Sequence, residues 1–205
     1  LTICEPVSWN PVSRRRNMTQ GTYSAYDSEG RRKYLTLEEG RKFRRSARKL
    51  PSVECLFCLT IYYTGVRISE ALSLTAADID IASDTVRVRS LKKREKREFR
   101  RLPIPSYLST GLRKLAESQA ESPLWTFSRT TGWRIVKRVM DDAEISGVHA
   151  TAKGLRHAFG VRGALAKIPL SLLQLWFGHS QSTTTAIYLD VRDEEERTLM
   201  QRTWK

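Results

Sequence analysis

The chain has 205 residues, enough for one domain with a substantial core, and carries 36 Lys and Arg against 22 Asp and Glu, a formal net charge of +14. That excess points to a polyanionic partner. Nucleic acid is favoured over a membrane, because the sequence shows neither a signal peptide nor an apolar run of the roughly 18 residues that cross a bilayer. Cys4, Cys55 and Cys58 are too few for a disulfide framework, and Cys55-Leu-Phe-Cys58 has no second Cys or His pair at ligand spacing, so both of its thiols are expected as reduced helix residues rather than zinc ligands.

Residues 1–33 read as a flexible basic segment or linker, punctuated by Asn10-Pro11, Gly21, Ser28 and Gly30. The Arg14-Arg15-Arg16 run within it is either a solvated tail or a phosphate-contacting arm. Structure is expected from residue 34 onward. Thr36-Leu-Glu-Glu39 has the pattern of a capping box and starts a helix rich in Arg and Lys up to Leu50-Pro51. Ser52 is expected to cap a second, almost wholly apolar helix through Leu56, Leu59 and Tyr63, closed at Thr64-Gly65. After that turn, Arg67 opens a short helix, with Glu70 as an anchoring residue.

Thr85-Val-Arg-Val-Arg-Ser-Leu91 alternates as a strand, residues 92–98 form a charged turn, and Phe99-Arg-Arg-Leu-Pro-Ile104 returns as a second strand. A hairpin with a basic tip suits a DNA groove. Helices follow over 106–120, with Leu108, Leu112 and Leu115 on one face, and over 134–145, with Ile135, Val139 and Met140 inward. Trp125 and Phe127 are expected to pack in the core rather than stack on bases.

Residues 153–165 read as a helix, and Pro169 begins another in which Leu172, Leu173 and Trp176 share a face. Gly178 ends that helix and leaves His179 just beyond it, while Ser182 or Thr183 is expected to cap a short helix carrying Tyr188. Arg and His donate hydrogen bonds to an oxyanion, Arg as a planar fork matched to phosphate. A Tyr hydroxyl attacks phosphorus once its proton is removed and the developing charge is held. Arg156, His179 and Tyr188, placed at element ends, therefore suit covalent phosphoryl transfer. The tail over 193–205 opens acidic and ends basic, with Leu199 and Trp204 as exposable apolar residues.

Lys153-Gly-Leu-Arg-His157, Leu175-Trp-Phe-Gly-His-Ser180 and Thr183-Thr-Thr-Ala-Ile-Tyr188 resemble the C-terminal signature of the tyrosine recombinases, the lambda-integrase class, in which Tyr follows the Gly-His histidine by nine positions as it does here. Upstream, Thr64-Gly-Val-Arg-Ile-Ser-Glu70 is similar to the segment around that family's first active-site Arg. The one departure is Lys153, which stands where the family usually has His; His149 is too far from Arg156 to replace it.

The resemblance implies a mainly helical α+β domain over 34–205 with a small antiparallel sheet, and a site-specific recombinase or integrase working through a 3′-phosphotyrosine. Arg67 and Arg156 would clamp the scissile phosphate, His179 would add a hydrogen bond and Tyr188 would attack. A hairpin Lys would protonate the leaving 5′ oxygen; Lys92 is the first candidate, with Lys93 and Lys96 as rivals because turn register is open. A protonated Lys153 cannot accept the Tyr proton, so it acts first as a phosphate ligand unless the neighbouring Arg residues depress its pKa. His157 is expected in a supporting role, and His149 in a structural or DNA-contacting one.

No cofactor or metal is implied, since no Gly-rich phosphate loop or carboxylate cluster appears and phosphodiester exchange needs no energy input. The partners implied are double-stranded DNA, further copies of the chain forming a tetramer on DNA through the tail, and accessory DNA-bending proteins, in a prokaryotic cytoplasm at the nucleoid. Larger members add an N-terminal DNA-clamping domain, which is missing here or was removed; small invertases of the family resemble this chain in length. A type IB topoisomerase-like enzyme and a non-catalytic DNA-binding regulator are the alternatives. The intact Arg-Arg-His-Tyr set argues against the second.

Overall fold

The computed structural model describes residues 24–90, 98–118, 123–179, 181–189 and 200. Lys92, Lys93 and Lys96, the 193–205 tail apart from Met200, the Arg14-Arg15-Arg16 run and Cys4 lie outside them. Among the described residues the architecture is eight α-helices and one small sheet: α1 (Leu37–Ala47), α2 (Ser52–Thr64), α3 (Ile68–Leu72), β1 (Ile79–Asp80), β2 (Thr85–Arg89), β3 (Phe99–Pro103), α4 (Ser106–Glu117), α5 (Arg129–Asp142), α6 (Ala152–Leu165), α7 (Leu170–Phe177) and α8 (Thr183–Ala186).

The apolar helix α2 is the centre. Phe57, Cys58, Leu59 and Ile61 are buried there, and α1, α4, α5 and α6 pack around it. Phe57 meets Trp125 and Phe127 edge-on at 5.3 and 4.9 Å, so the two aromatics pack as expected, and the Trp125 indole donates to the Ala71 carbonyl at 2.7 Å. Cys55 and Cys58 are free thiols on this helix, and burial pushes the Cys58 thiol well above the usual range.

Several helix termini follow from local chemistry. Thr36 and Glu39 form the capping box, and Glu39 also holds Arg32 and lies 3.2 Å from His149, which ties α1 to the approach to α6. Ser128 and Thr151 cap α5 and α6 through their hydroxyls, so α5 begins at Arg129 rather than near residue 134. Pro51, not Ser52, flanks α2, and no side-chain cap bond is made there. Within residues 24–33, expected as part of a flexible leader, Ala25 and Tyr26 are buried, and the Tyr26 ring meets Tyr34 edge-on.

The sheet is antiparallel in the order β1-β2-β3, with Val86 opposite Leu102 and Val88 opposite Arg100. β1 is a strand the sequence pattern did not predict, being only Ile79–Asp80. Val86, Val88, Arg100 and Leu102 face inward, and Arg87, Arg89 and Arg101 face solvent. The inward Arg100 is the exception that matters for the site.

Phe57→Ala should cost about 3–5 kcal/mol, because it empties a ring-sized space under two other aromatics. Urea denaturation followed by circular dichroism measures this as a lowered midpoint with an unchanged slope.

Candidate active site

A cleft of about 970 Å³ opens between α3, α5, α6 and the 179–188 segment, with Arg67, Lys153, Arg156, His157, His179 and Tyr188 in its wall. No carboxylate lines it among the described residues. Every sequence-predicted site residue that the structure describes is brought together here, including Lys153.

Arg156 is 8% exposed and stands on α6. Its Nη1 donates to the Gly65 carbonyl at 2.7 Å and its Nη2 to the Phe177 carbonyl at 2.9 Å. Both acceptors sit at helix C-termini, of α2 and α7, where carbonyls lack an intrahelical partner and the helix dipole is negative. These ends are made by Gly65 (φ +62°) and Gly178 (φ +63°), left-handed positions that suit glycine. Burial, then the repulsion of Arg67, pulls the Arg156 guanidinium down to about 9, so it is still charged near neutrality.

Arg67 precedes α3. Glu70, 1% exposed, accepts from the Arg67 backbone N–H at 3.0 Å and from Arg67 Nη1 at 2.8 Å. Arg100 Nη2 donates to the same carboxylate at 2.6 Å, and Arg100 Nε donates to the Trp176 carbonyl at 2.7 Å. Glu70 therefore joins α3 to β3 and, through Arg100, to α7. Burial pushes the Glu70 pKa up, but Arg100 and Arg67 outweigh that and hold the carboxyl below its ordinary value. Sequence reasoning gave Glu70 an anchoring role and did not single out Arg100. The period-two pattern carried the signal, since Arg100 shares a strand face with Leu102.

His179 follows Gly178. Arg156 Nη2 lies 3.2 Å from His179 Nε2, and His179 Nδ1 lies 2.9 Å from the Thr185 hydroxyl. A guanidinium only donates, so Nε2 accepts and Nδ1 carries the proton that Thr185 receives. Thr185 had no sequence signal beyond a Thr-rich run.

The Phe177 ring is fully buried, with Arg156 4.6 Å from its centroid and the His179 and Tyr188 rings stacked at 4.9 and 5.0 Å. Tyr188 sits on a single 3-10 turn, Ile187–Leu189; the expected helix stops at Ala186. Its ring lies over Gly160 of α6, where an added Cβ would come within 2.5 Å. Burial pushes the phenol up to about 12 against the pull of Arg156 and Arg67, and its oxygen is 3.3 Å from His157 Nδ1.

The arrangement presents fixed cations to an oxyanion beside a phenol. The fold is that of the tyrosine recombinase catalytic domains. The crystal structure of XerA recombinase superposes with a TM-score of 0.73 at 22% identity, over 84% of this chain and 65% of that one. The catalytic domain of bacteriophage HP1 integrase does so with 0.62 at 18% identity, over 82% and 93%. XerH bound to its difH substrate gives 0.69 at 19% identity, over 88% and 60%.

Residues 33–195 match the family model described as the phage integrase family, and the chain belongs to that family. It is similar to the tyrosine recombinase XerA of Thermococcus onnurineus, 28% identical over 176 residues that cover 80% of this chain and 60% of the relative. It is also similar to XerD of Xanthomonas campestris pv. campestris, 30% identical over 158 residues covering 69% and 49%. The chain thus spans about 60% of the length of the XerA relative.

Replacing Glu70 by Ala should cost about 3–5 kcal/mol, because Arg100 is left as a buried charge without its carboxylate. The depressed folded-state value means that this stabilisation is fully present above the unfolded value near 4.5 and is lost as pH falls through the folded one. Denaturation midpoints taken between pH 3 and 7 should fall less steeply with acid in Glu70→Gln than in the parent.

Proposed function

We propose that this chain is the catalytic part of a site-specific DNA recombinase or integrase that cleaves and rejoins DNA through a 3′-phosphotyrosine. The observation that carries the reading is the convergence of Arg67, Lys153, Arg156, His179 and Tyr188 on one cleft that, among the described residues, has no carboxylate in its wall. Six of the cleft's lining residues are arginines, lysines or histidines on α3, α5, α6 or the adjoining loops, apart from Lys33. A DNA phosphate supplies the anion that such a wall needs.

Arg67 and Arg156 contact the non-bridging oxygens of the scissile phosphate and hold the charge that grows in the transition state. Arg156 enters with its direction set by two carbonyls, so little reorganisation is needed at the moment of reaction. Lys153, exposed on the first turn of α6, acts as an ammonium ligand of the same phosphate. His179 holds Arg156 from the cleft side, and when the Thr185 hydroxyl donates to Nδ1 the ring hydrogen moves to Nε2, from which it is donated to the phosphate. Tyr188 Oη attacks phosphorus in line and the 5′ oxygen leaves; Lys92 supplies its proton, with Lys93 and Lys96 as alternatives. Attack by the 5′-hydroxyl of a partner strand reverses the step on a new strand.

In this reading residues 34–205 are the catalytic domain, a tetramer on two duplexes completes the exchange with the 193–205 tail as the coupling element, and accessory DNA-bending proteins assist. The relatives named recombinases, and the XerH–difH complex, are the precedents that support it over topoisomerase-like relaxation.

Tyr188→Phe should bind DNA as the parent does and form no covalent adduct, since only the attacking oxygen is gone. The assay uses nicked duplexes built from sequences the protein selects out of a random pool, with adducts resolved on denaturing gels; an adduct in Tyr188→Phe sinks the assignment. Binding itself should weaken with salt at a log–log slope of about −0.9 for each phosphate neutralised. A flat fluorescence-anisotropy titration across low and moderate salt would contradict a phosphate footprint.

A further inference from the structure

Lys153 leaves the site without the His that the family usually carries, and an ammonium cannot take the nucleophile's proton. We propose that His157 is the catalytic base for Tyr188: its Nδ1 receives the phenolic proton as Oη bonds to phosphorus. The inference rests on the reading of Tyr188 as the nucleophile.

The geometry that points to it is local and specific. Tyr188 Oη lies 3.3 Å from His157 Nδ1, and the two ring centroids are 5.8 Å apart. The phenol has one proton to give, and Nδ1 is the partner recorded for it. A phenol donating to an imidazole lone pair fixes the tautomer with hydrogen on Nε2. That Nε2 is buried and without a hydrogen-bond partner among the described residues, so no second group is seen holding the ring in a different role. His157 also lines the cleft, one residue from Arg156 on α6, so phosphate clamp and proton acceptor move as one rigid element.

The surrounding charge supports the same direction. Burial first, then Lys153 and Arg156 on α6 and Lys33 ahead of α1, push the His157 imidazole down to about 4, so it is neutral and able to accept at physiological pH. With Tyr188 pushed up to about 12, the proton stays on the phenol in the free site. A bound phosphate changes both sides: its negative charge offsets Lys153 and Arg156, which raises the basicity of the imidazole, and the phenol becomes acidic as its oxygen bonds to phosphorus. The transfer therefore occurs with attack.

The step balances. The O–H bond of Tyr188 breaks and its proton goes to His157 Nδ1. The Oη–P bond forms, the P–O5′ bond breaks with its electron pair on O5′, and O5′ takes a proton from the hairpin Lys. In the rejoining step the imidazolium returns its proton to Tyr188 Oη as the phosphotyrosine bond breaks.

Single-turnover cleavage of a nicked suicide duplex across pH 6–9 tests this with the parent, His157→Ala and His157→Gln, after DNA affinity and melting temperature have been matched. The parent rate should show no step from His157 in this range, because the imidazole is already neutral. His157→Ala should lose about 10²- to 10⁴-fold at neutral pH, the scale of one proton-transfer group, rise about tenfold per pH unit, and recover on addition of imidazole. His157→Gln keeps a hydrogen-bond acceptor but no basic nitrogen, and should be as slow as His157→Ala. Parent-like cleavage by His157→Gln, or an Ala defect that Gln repairs and imidazole does not, overturns the proposal and leaves His157 as a positioning residue. A parent protein that forms no adduct with Tyr188 overturns the recombinase reading itself, which is a different result.

Discussion

The buried guanidinium of Arg156 is the constraint on which the rest of the site depends. A charge this far from water needs strong acceptors or it shifts toward neutrality. Here the acceptors are carbonyls at the C-termini of α2 and α7, which would otherwise lack partners. One side chain thus satisfies two helix ends while two helix dipoles stabilise one cation. Because those acceptors are backbone atoms, they bring no formal negative charge, and Arg156 keeps its net positive charge at the cleft wall.

Glu70 balances the charge beneath the cleft. Its carboxylate faces Arg67 and Arg100, two cations for one anion, and it is buried away from the cleft wall. Arg100 converts this pair into a brace, since it also holds the Trp176 carbonyl beside the α7 terminus. Arg67 and the element that carries Phe177 and His179 are therefore connected through one carboxylate. The surplus positive charge faces the cleft, where a phosphate rather than a protein carboxylate can meet it.

Phe177 supplies the apolar counterpart. Arg156, His179 and Tyr188 all pack on its ring, so the guanidinium, the imidazole and the phenol share one rigid reference surface. Stacking of this kind contributes roughly 0.5–1.5 kcal/mol per pair beyond burial. Its value to the site is orientation: the ring sets the Tyr188 plane, and with it the direction of the phenolic oxygen toward His157.

The sequence by itself determined the local grammar. The Thr36–Glu39 box, the left-handed glycines at 65 and 178 and the alternation in the 85–89 and 99–103 strands are legible because each depends on residues within a turn or a strand of one another, and Arg67, Arg156, His179 and Tyr188 because each lies in a short motif that resembles the family's. The Ser128 cap is equally local, but Thr130-Thr131-Gly132 masks the apolar period in the first turn of α5. Only the tertiary structure decided which donors meet which acceptors. Arg156 finds a carbonyl 91 positions away, Arg100 one 76 away, and Tyr188 an imidazole 31 away. Those pairings follow from where helix ends converge around α2 and which side chains are buried there, and neither periodicity nor composition encodes that convergence.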